Sequence, residues 1–369
     1  MGPTLSRSTL NRRVLLAMMV AVASLSAYLL PVSALAQTPS ATDPLPSWND
    51  GAAKQAIVDF VKATTDSASP KFVPPEERIA TFDQDGTLWV EHPIYSFVMY
   101  ALDRVPAVVK AKPQLAKVEP FKTVLTGDRA AIAKLSLRDL EKIIAATFTG
   151  MSVDQFSAEA KKWIETAQDA RWKRPYTELT YQPTQDVLQY LRDNSYKTYI
   201  VTGGGQDFVR VYSERVYGIP PEQVVGTAGR TTYSYEKNGK PFLIKDPKLL
   251  LNDNDAGKPE GIHFMIGQRP HAAFGNSTGD RQMLEYTGAG DGLRLKMLVF
   301  HDDAKREYAY GPAEGLPDTK VGTFTQDLPL LNYCFRRNGA KLSRACVNAL
   351  IQAGDVSKAY VQARRRAGH

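Results

Sequence analysis

Cysteine is almost missing from this chain: 369 residues hold two, Cys334 and Cys346, both near the C-terminus. At most one intramolecular bridge can form, and it would close a short local loop. Histidine is scarce as well. His92, His263, His271, His301 and His369 fall at no metal-ligand spacing, which argues against a zinc centre. No basic stripe interleaved with aromatics is present, so nothing in the chain points to nucleic acid. No internal repeat is visible, and past residue 36 no apolar run is long enough to cross a bilayer.

What the chain does have begins with its first 36 residues. Arg7, Arg12 and Arg13 precede an uncharged apolar stretch from Val14 that ends at Ala34-Leu35-Ala36, a small-residue cleavage pattern. The expectation is a signal peptide cut after Ala36 and a periplasmic or secreted product with no stable membrane span. An uncleaved membrane anchor is the alternative, because the stretch exceeds the length a spanning helix needs. The leader carries three arginines and no acid, so its loss lowers the net charge from +7 to +4. That balance is mildly basic and suits an anionic ligand. In an exported chain the two cysteines are expected to pair as a Cys334–Cys346 disulfide.

At 43% hydrophobic, the remainder has ample material for a core. Residues 37–77 start polar and turn helix-like from Ala52 to Thr64. A short strand, Ile79 to Asp83, follows. From 92 to 182 the pattern is helical, over His92 to Val109, Arg129 to Phe148 and Ser152 to Arg171. Ser152 and Gln155 have capping-box spacing at the last of these. Beyond 182 helix and strand alternate: a helix from Pro183 to Asn194, then strands at Lys197 to Val201, Ala272 to Gly275 and Lys296 to His301. Asp280 to Tyr286 reads as a helix between the last two. Asn238-Gly239 between Thr231–Glu236 and Lys240–Lys245 predicts a hairpin. Such alternation implies right-handed crossovers and a largely parallel sheet.

The chemistry concentrates at strand ends. Asp83 and Asp85 close the first strand, and residues i and i+2 share a face, so both carboxylates can reach one substrate atom. Gly86 allows the tight turn that follows. Ligands of open α/β sheets bind beyond the carboxyl ends of strands, where this pair would sit. Thr202 follows another strand and precedes three glycines, so its hydroxyl and the next amides can face a phosphate.

Four separated pieces, Asp83-Gln-Asp-Gly-Thr87, Tyr199-Ile-Val-Thr-Gly-Gly204, Gly257-Lys-Pro259 and Ala273-Phe-Gly-Asn-Ser-Thr-Gly-Asp280, resemble the motifs of the haloacid dehalogenase superfamily. The likeness runs from Arg78 to about Phe324 and is nearest to the phosphoserine-phosphatase-like branch. It implies a Rossmann-like three-layer α/β/α core over 78–91 and 183–327, with an all-helical cap inserted at 92–182. It implies, too, a phosphomonoester hydrolase acting on a small phosphorylated substrate. Asp83 would be the nucleophile that forms an aspartyl-phosphate, and Asp85 the general acid and then base. The acid two residues on separates phosphatases from dehalogenases in this superfamily. Thr202 and Gly203 would bind the phosphate. Lys258 would balance its charge, with Lys245 and Lys248 as less well placed rivals. Mg²⁺ would be held by Asp83, the backbone carbonyl of Asp85 and Asp280, with Asn276 beside them.

One position departs from the pattern. The branch usually has an aspartate where this chain has Asn276, and Thr278 stands where an acid would help, so the metal site loses charge. Glu91 lies near the place where the branch reads a substrate amine. His301-Asp302-Asp303 follows a strand end and could line the site, but a solvated loop is the expectation. From 328 to 369 the resemblance ends; Cys334 to Leu350 is similar to a small cysteine-containing helical repeat of bacterial envelope proteins, so a short helical tail is expected. A phospholigand-binding protein or an envelope interaction protein on the same scaffold is the alternative function. The particular phosphomonoester and the oligomeric state are not legible.

Overall fold

The computed structural model describes residues 43–301 and 309–310, together with the backbone of 333–336. The chain divides into units 1–43 and 44–369, and all but the first described residue belong to the second. The leader, its cleavage site, Asp302, Asp303, the side chain of Cys334 and all of Cys346 lie outside the described residues.

A seven-stranded sheet in the order β4-β3-β2-β1-β5-β6-β7 organises that unit. Its strands are β1 Ile79–Phe82, β2 Lys197–Gly205, β3 Val224–Tyr235, β4 Pro241–Leu251, β5 Ala272–Gly275, β6 Leu295–Phe300 and β7 Tyr333–Arg336. All neighbours are parallel except β3 and β4, which form the hairpin expected around Asn238-Gly239. The molecule is therefore a Rossmann-like α/β fold. The helices are α1 Ala52–Thr65, α2 Ser96–Ala111, α3 Phe121–Leu125, α4 Arg129–Ile132, α5 Leu137–Phe148, α6 Val153–Thr166, α7 Gln182–Asp193, α8 Gln206–Arg210, α9 Ser213–Tyr217, α10 Gly257–Met265 and α11 Arg281–Gly288.

β1 is the middle strand, and every residue in it is buried. A strand covered on both faces reads as an unbroken apolar run, which is why Ile-Ala-Thr-Phe carries no alternation. Phe82 and Phe274 of neighbouring strands stack with centroids 4.4 Å apart. The chain leaves β1 to one side for β2 and comes back on the other for β5, so the order reverses at β1. That reversal opens a crevice at the carboxyl ends.

Residues 44–77 pack on this core. Ser47 donates its backbone N–H to Asp186 at 2.8 Å, Trp48 Nε1 donates to Pro183 O at 2.8 Å, and the Thr64 and Tyr196 hydroxyls lie 2.7 Å apart.

The insertion between β1 and β2 is helical, as expected. Ser136 and Ser152 both form complete capping boxes, and the second is the one the sequence marked. Strand structure also reaches the cap, because the hairpin docks onto it. Gly150 N–H donates to Lys245 O, and Lys245 N–H donates to Met151 O, each at 2.9 Å. The tail differs from expectation as well. Tyr333–Arg336, at the start of the segment expected to be helical, pairs in parallel with β6 as the seventh strand. The rest of that segment lies outside the described residues.

Candidate active site

Asp83 directly follows β1 and is 7% exposed. Lys258, in the first turn of α10 and also buried, donates from Nζ to Asp83 Oδ1 at 2.5 Å, to Asp280 Oδ1 at 2.7 Å and to Val201 O at 2.8 Å. All three ammonium hydrogens can thus be used, which is what lets a lysine be buried. Its two acid partners hold Lys258 in its charged form well above the ordinary lysine range, although burial opposes them. Burial, reinforced by Asp280, pushes the Asp83 pKa up, and the ion pair with Lys258 works against the rise. Lys245 and Lys248, the rivals, are elsewhere: Lys245 pairs with Asp207 and Lys248 is exposed.

Asp85 is half-buried. Burial raises its pKa to about 6, and the hydrogen bond from Trp89 is the main force against that rise. Trp89 Nε1 donates to Asp85 Oδ1 at 2.6 Å. The other oxygen faces the glycine run, since a Cβ on Gly204 would lie 3.7 Å from Asp85 Oδ2 and 3.2 Å from Thr202 Oγ1. Thr202 is buried and accepts from the Gly204 N–H at 3.0 Å. The pairing of β2 with β3 shifts register between Thr202 and Gly205, so Gly203 and Gly204 leave the ladder. Such bulges re-aim backbone next to active sites, and here the Gly203 amide leaves the ladder while the Gly204 N–H is held by Thr202. Thr227 Oγ1 secures the bulge by donating to Gly203 O at 2.8 Å. At its far end a Cβ on Gly205 would stand 2.6 Å from Phe97 Cζ, so α2 of the cap rests on this loop.

Asp280 closes the site from the β5 side. Its Oδ2 accepts the backbone N–H groups of Asn276 and Ser277, each at 2.9 Å, while Oδ1 meets Lys258. Asn276 is buried, with Oδ1 accepting from Thr87 Oγ1 at 3.0 Å and Nδ2 donating to Glu91 Oε1 at 2.8 Å. Asp83, Asp85, Thr202, Gly203, Lys258, Asn276 and Asp280, scattered over almost 200 positions, are all at this end of the sheet.

Four further participants escaped the sequence. Trp89 holds Asp85. Gln84 Nε2 donates to Tyr212 OH at 2.7 Å, anchoring the loop between the two aspartates. Asp253 is fully buried within electrostatic reach of Lys258 and Asp83, and burial raises its pKa to about 8. Its carboxylate oxygens make no hydrogen bond of good geometry among the described residues, the Thr202 backbone offering only a weak one. Asn254 Oδ1 lies between the two motif loops, 3.1 Å from where a Cβ would stand on Gly203 and 2.6 Å from one on Gly279. The only signal was position, since both residues fall just ahead of Gly257-Lys258. His301, expected at the edge of a solvated loop, is buried, with Nε2 2.6 Å from Gly86 O, because β6 ends against the catalytic turn.

Among the described residues no group of three His, Cys, Asp or Glu side chains is arranged to hold a metal ion. Asp83 and Asp280 instead share an ammonium. The donors near them are all oxygen, and acids outnumber the single lysine, which fits a hard cation that takes one or two carboxylates and leaves the rest to water and phosphate.

This constellation on a Rossmann-like sheet defines a hydrolase class. The model of the haloacid dehalogenase-like hydrolases matches residues 80–285, more than half of the chain, and the protein belongs to that family. No curated protein sequence matches it. Similar solved structures include a conserved protein of unknown function from Anaerococcus prevotii, 14% identical, covering 68% of this chain and 86% of its own, with TM-score 0.44. A phosphoserine phosphohydrolase-like protein from Francisella tularensis is 16% identical over 60% of this chain and 87% of its own, with TM-score 0.33.

Proposed function

We propose that this protein is an exported phosphomonoester hydrolase that works through an aspartyl-phosphate on Asp83 with Mg²⁺ as cofactor. The observation that carries the reading is the placement of Asp83 against Lys258, with the free oxygen of Asp85 turned to the Thr202–Gly204 loop. In the first step an Asp83 oxygen attacks phosphorus and the bond to the ester oxygen breaks. Asp85, with a pKa near 6, gives its proton to that oxygen. In the second step Asp85 takes a proton from water, which attacks the same phosphorus, releases inorganic phosphate and restores Asp83. The amides of the Gly203 loop and Lys258 face the equatorial oxygens, whose charge spreads in the transition state. Mg²⁺, when bound, would add positive charge at those oxygens; Asp83, Asp280 and the Asp85 carbonyl would hold it, beside Asn276. The cap excludes water and selects the leaving group, so the substrate is a small phosphorylated molecule.

Purified protein with Mg²⁺ is expected to release phosphate from members of a phosphomonoester panel, to stop with EDTA and to resume when Mg²⁺ is restored. Silence across the panel between pH 5 and 8 would sink the reading. For export, mass spectrometry of the envelope fraction is expected to find a chain beginning at Gln37 with Cys334 bonded to Cys346. A chain starting at Met1 with free thiols would count against it.

A further inference from the structure

The charge that Asn276 lacks stands one side chain away. Glu91, on the segment after β1, is 7% exposed and accepts from Asn276 Nδ2 at 2.8 Å. The amide cannot turn over without loss. Thr87 Oγ1 donates to Asn276 Oδ1 at 3.0 Å, so only the nitrogen is left to face the glutamate. Gly86 has φ 76°, and a Cβ there would lie 2.1 Å from Asn276 Nδ2 and 2.5 Å from Glu91 Oε1. Glycine at that turn therefore allows acid, amide and catalytic loop to pack as one unit.

Glu91 feels the other acids. Asp83, Asp85 and Asp280 all lie within electrostatic reach of its carboxyl group. Asp253 contributes a second, independent sign of an acid without a good partner, fully buried with neither oxygen well bonded. Lys258 alone cannot balance that set, and buried carboxylates left unbalanced are costly. A second cation is what such a pocket takes.

We propose that Glu91 supplies the anionic charge of the cation site in place of the acid missing at position 276, with Asn276 as the amide that holds it there. The inference rests on the Mg²⁺-dependent reading above. The ligand is a small, hard divalent cation, and its negative wall comes from the β1 side as well as from β5. Asn276 is on this account a positioning residue.

The test is cation binding without substrate, by calorimetry with Mg²⁺ and by electron paramagnetic resonance with Mn²⁺, on the purified full chain. Glu91→Gln keeps an acceptor for Asn276 but no charge, and is expected to weaken binding by about tenfold or more, as loss of an outer partner of a metal site does. Asn276→Asp placed on the Glu91→Gln background moves the charge across the hydrogen bond and is expected to recover most of that loss. Asn276→Asp alone sets two carboxylates against each other and is expected to gain less than the swap restores. Glu91→Gln binding within twofold of wild type would overturn the proposal and leave the phosphatase reading standing. So would a folded swap variant that recovers nothing. Wild-type protein that binds neither ion would overturn both.

Discussion

Trp89 gives its only side-chain hydrogen-bond donor to Asp85, at 2.6 Å, and its ring stacks on Tyr212 with centroids 4.9 Å apart. The residue assigned to proton transfer is thus set by an indole packed among Tyr176, Tyr212 and Tyr217. That bond favours the carboxylate form and keeps Asp85 near 6 against burial.

Trp89→Phe removes the donor, so the Asp85 pKa should rise. Asp85 must be protonated to release the leaving group, and the decline of kcat/KM above about pH 6 is expected to move to higher pH in this variant. A pH–rate profile on a hydrolysed phosphomonoester checks it, and an unmoved alkaline limb would separate Asp85 from the proton transfer.

Asp83→Asn keeps shape and loses the nucleophile. Turnover should fall by a factor of about 1,000 or more, roughly 4 kcal/mol of barrier. The melting temperature should hold, because the amide oxygen can still accept from Lys258 while a carboxylate that faces Asp280 is removed. Near-normal phosphate release by the folded variant would end the aspartyl-phosphate mechanism.

Asp253→Asn addresses stability and pH. Asp253 has a folded pKa of about 8 against an ordinary 3.8, so the folded chain keeps a proton that the unfolded chain has given up. Wild-type stability contributed by this group is full below about pH 4 and is lost as pH rises through 8. Asparagine does not titrate, so the variant's melting temperature should gain on wild type across that window, by several degrees at about 2–4 °C per kcal/mol. Parallel melting curves at pH 5 and 8 would refute the assignment.

Gly205→Ala would drive a methyl group into Phe97 of the cap. The loop assigned to phosphate or α2 must yield, and KM for a hydrolysed phosphomonoester is expected to rise by about tenfold, near 1.4 kcal/mol. Phe97→Leu in the same chain should recover much of it. Steady-state kinetics on the single and double variants decides, and a double variant no better than the single would place the strain elsewhere.

Much of this site could be read in advance because each motif residue is tied to the end of a local element. Asp83 follows an apolar run, Thr202 ends a β-branched strand, and Lys258 opens a helix after a Gly. What stayed hidden depends on tertiary contact. The Asn-Asp-Asn-Asp run at 252–255 looks like a solvated turn, yet Asp253 is buried because Gly261 of α10 leaves room for it; a Cβ there would come 2.2 Å from its Oδ1. β7 draws its register from β6, with Met297 opposite Tyr333, a pairing no local pattern announces. Glu91 showed its spacing but not its partner, which comes from 185 positions away.

The two backbone bonds between Lys245 and residues 150 and 151 have a mechanical consequence. An inserted domain held only by its two connecting strands of chain can swing as a flap. Here the flap is also stitched on its far side to a ribbon that grows out of the sheet itself. Opening must either break the stitch or bend the ribbon, and since β3 of that ribbon pairs with β2 on either side of the Gly203 bulge, bending it would loosen the loop assigned to phosphate at the moment the product has to leave.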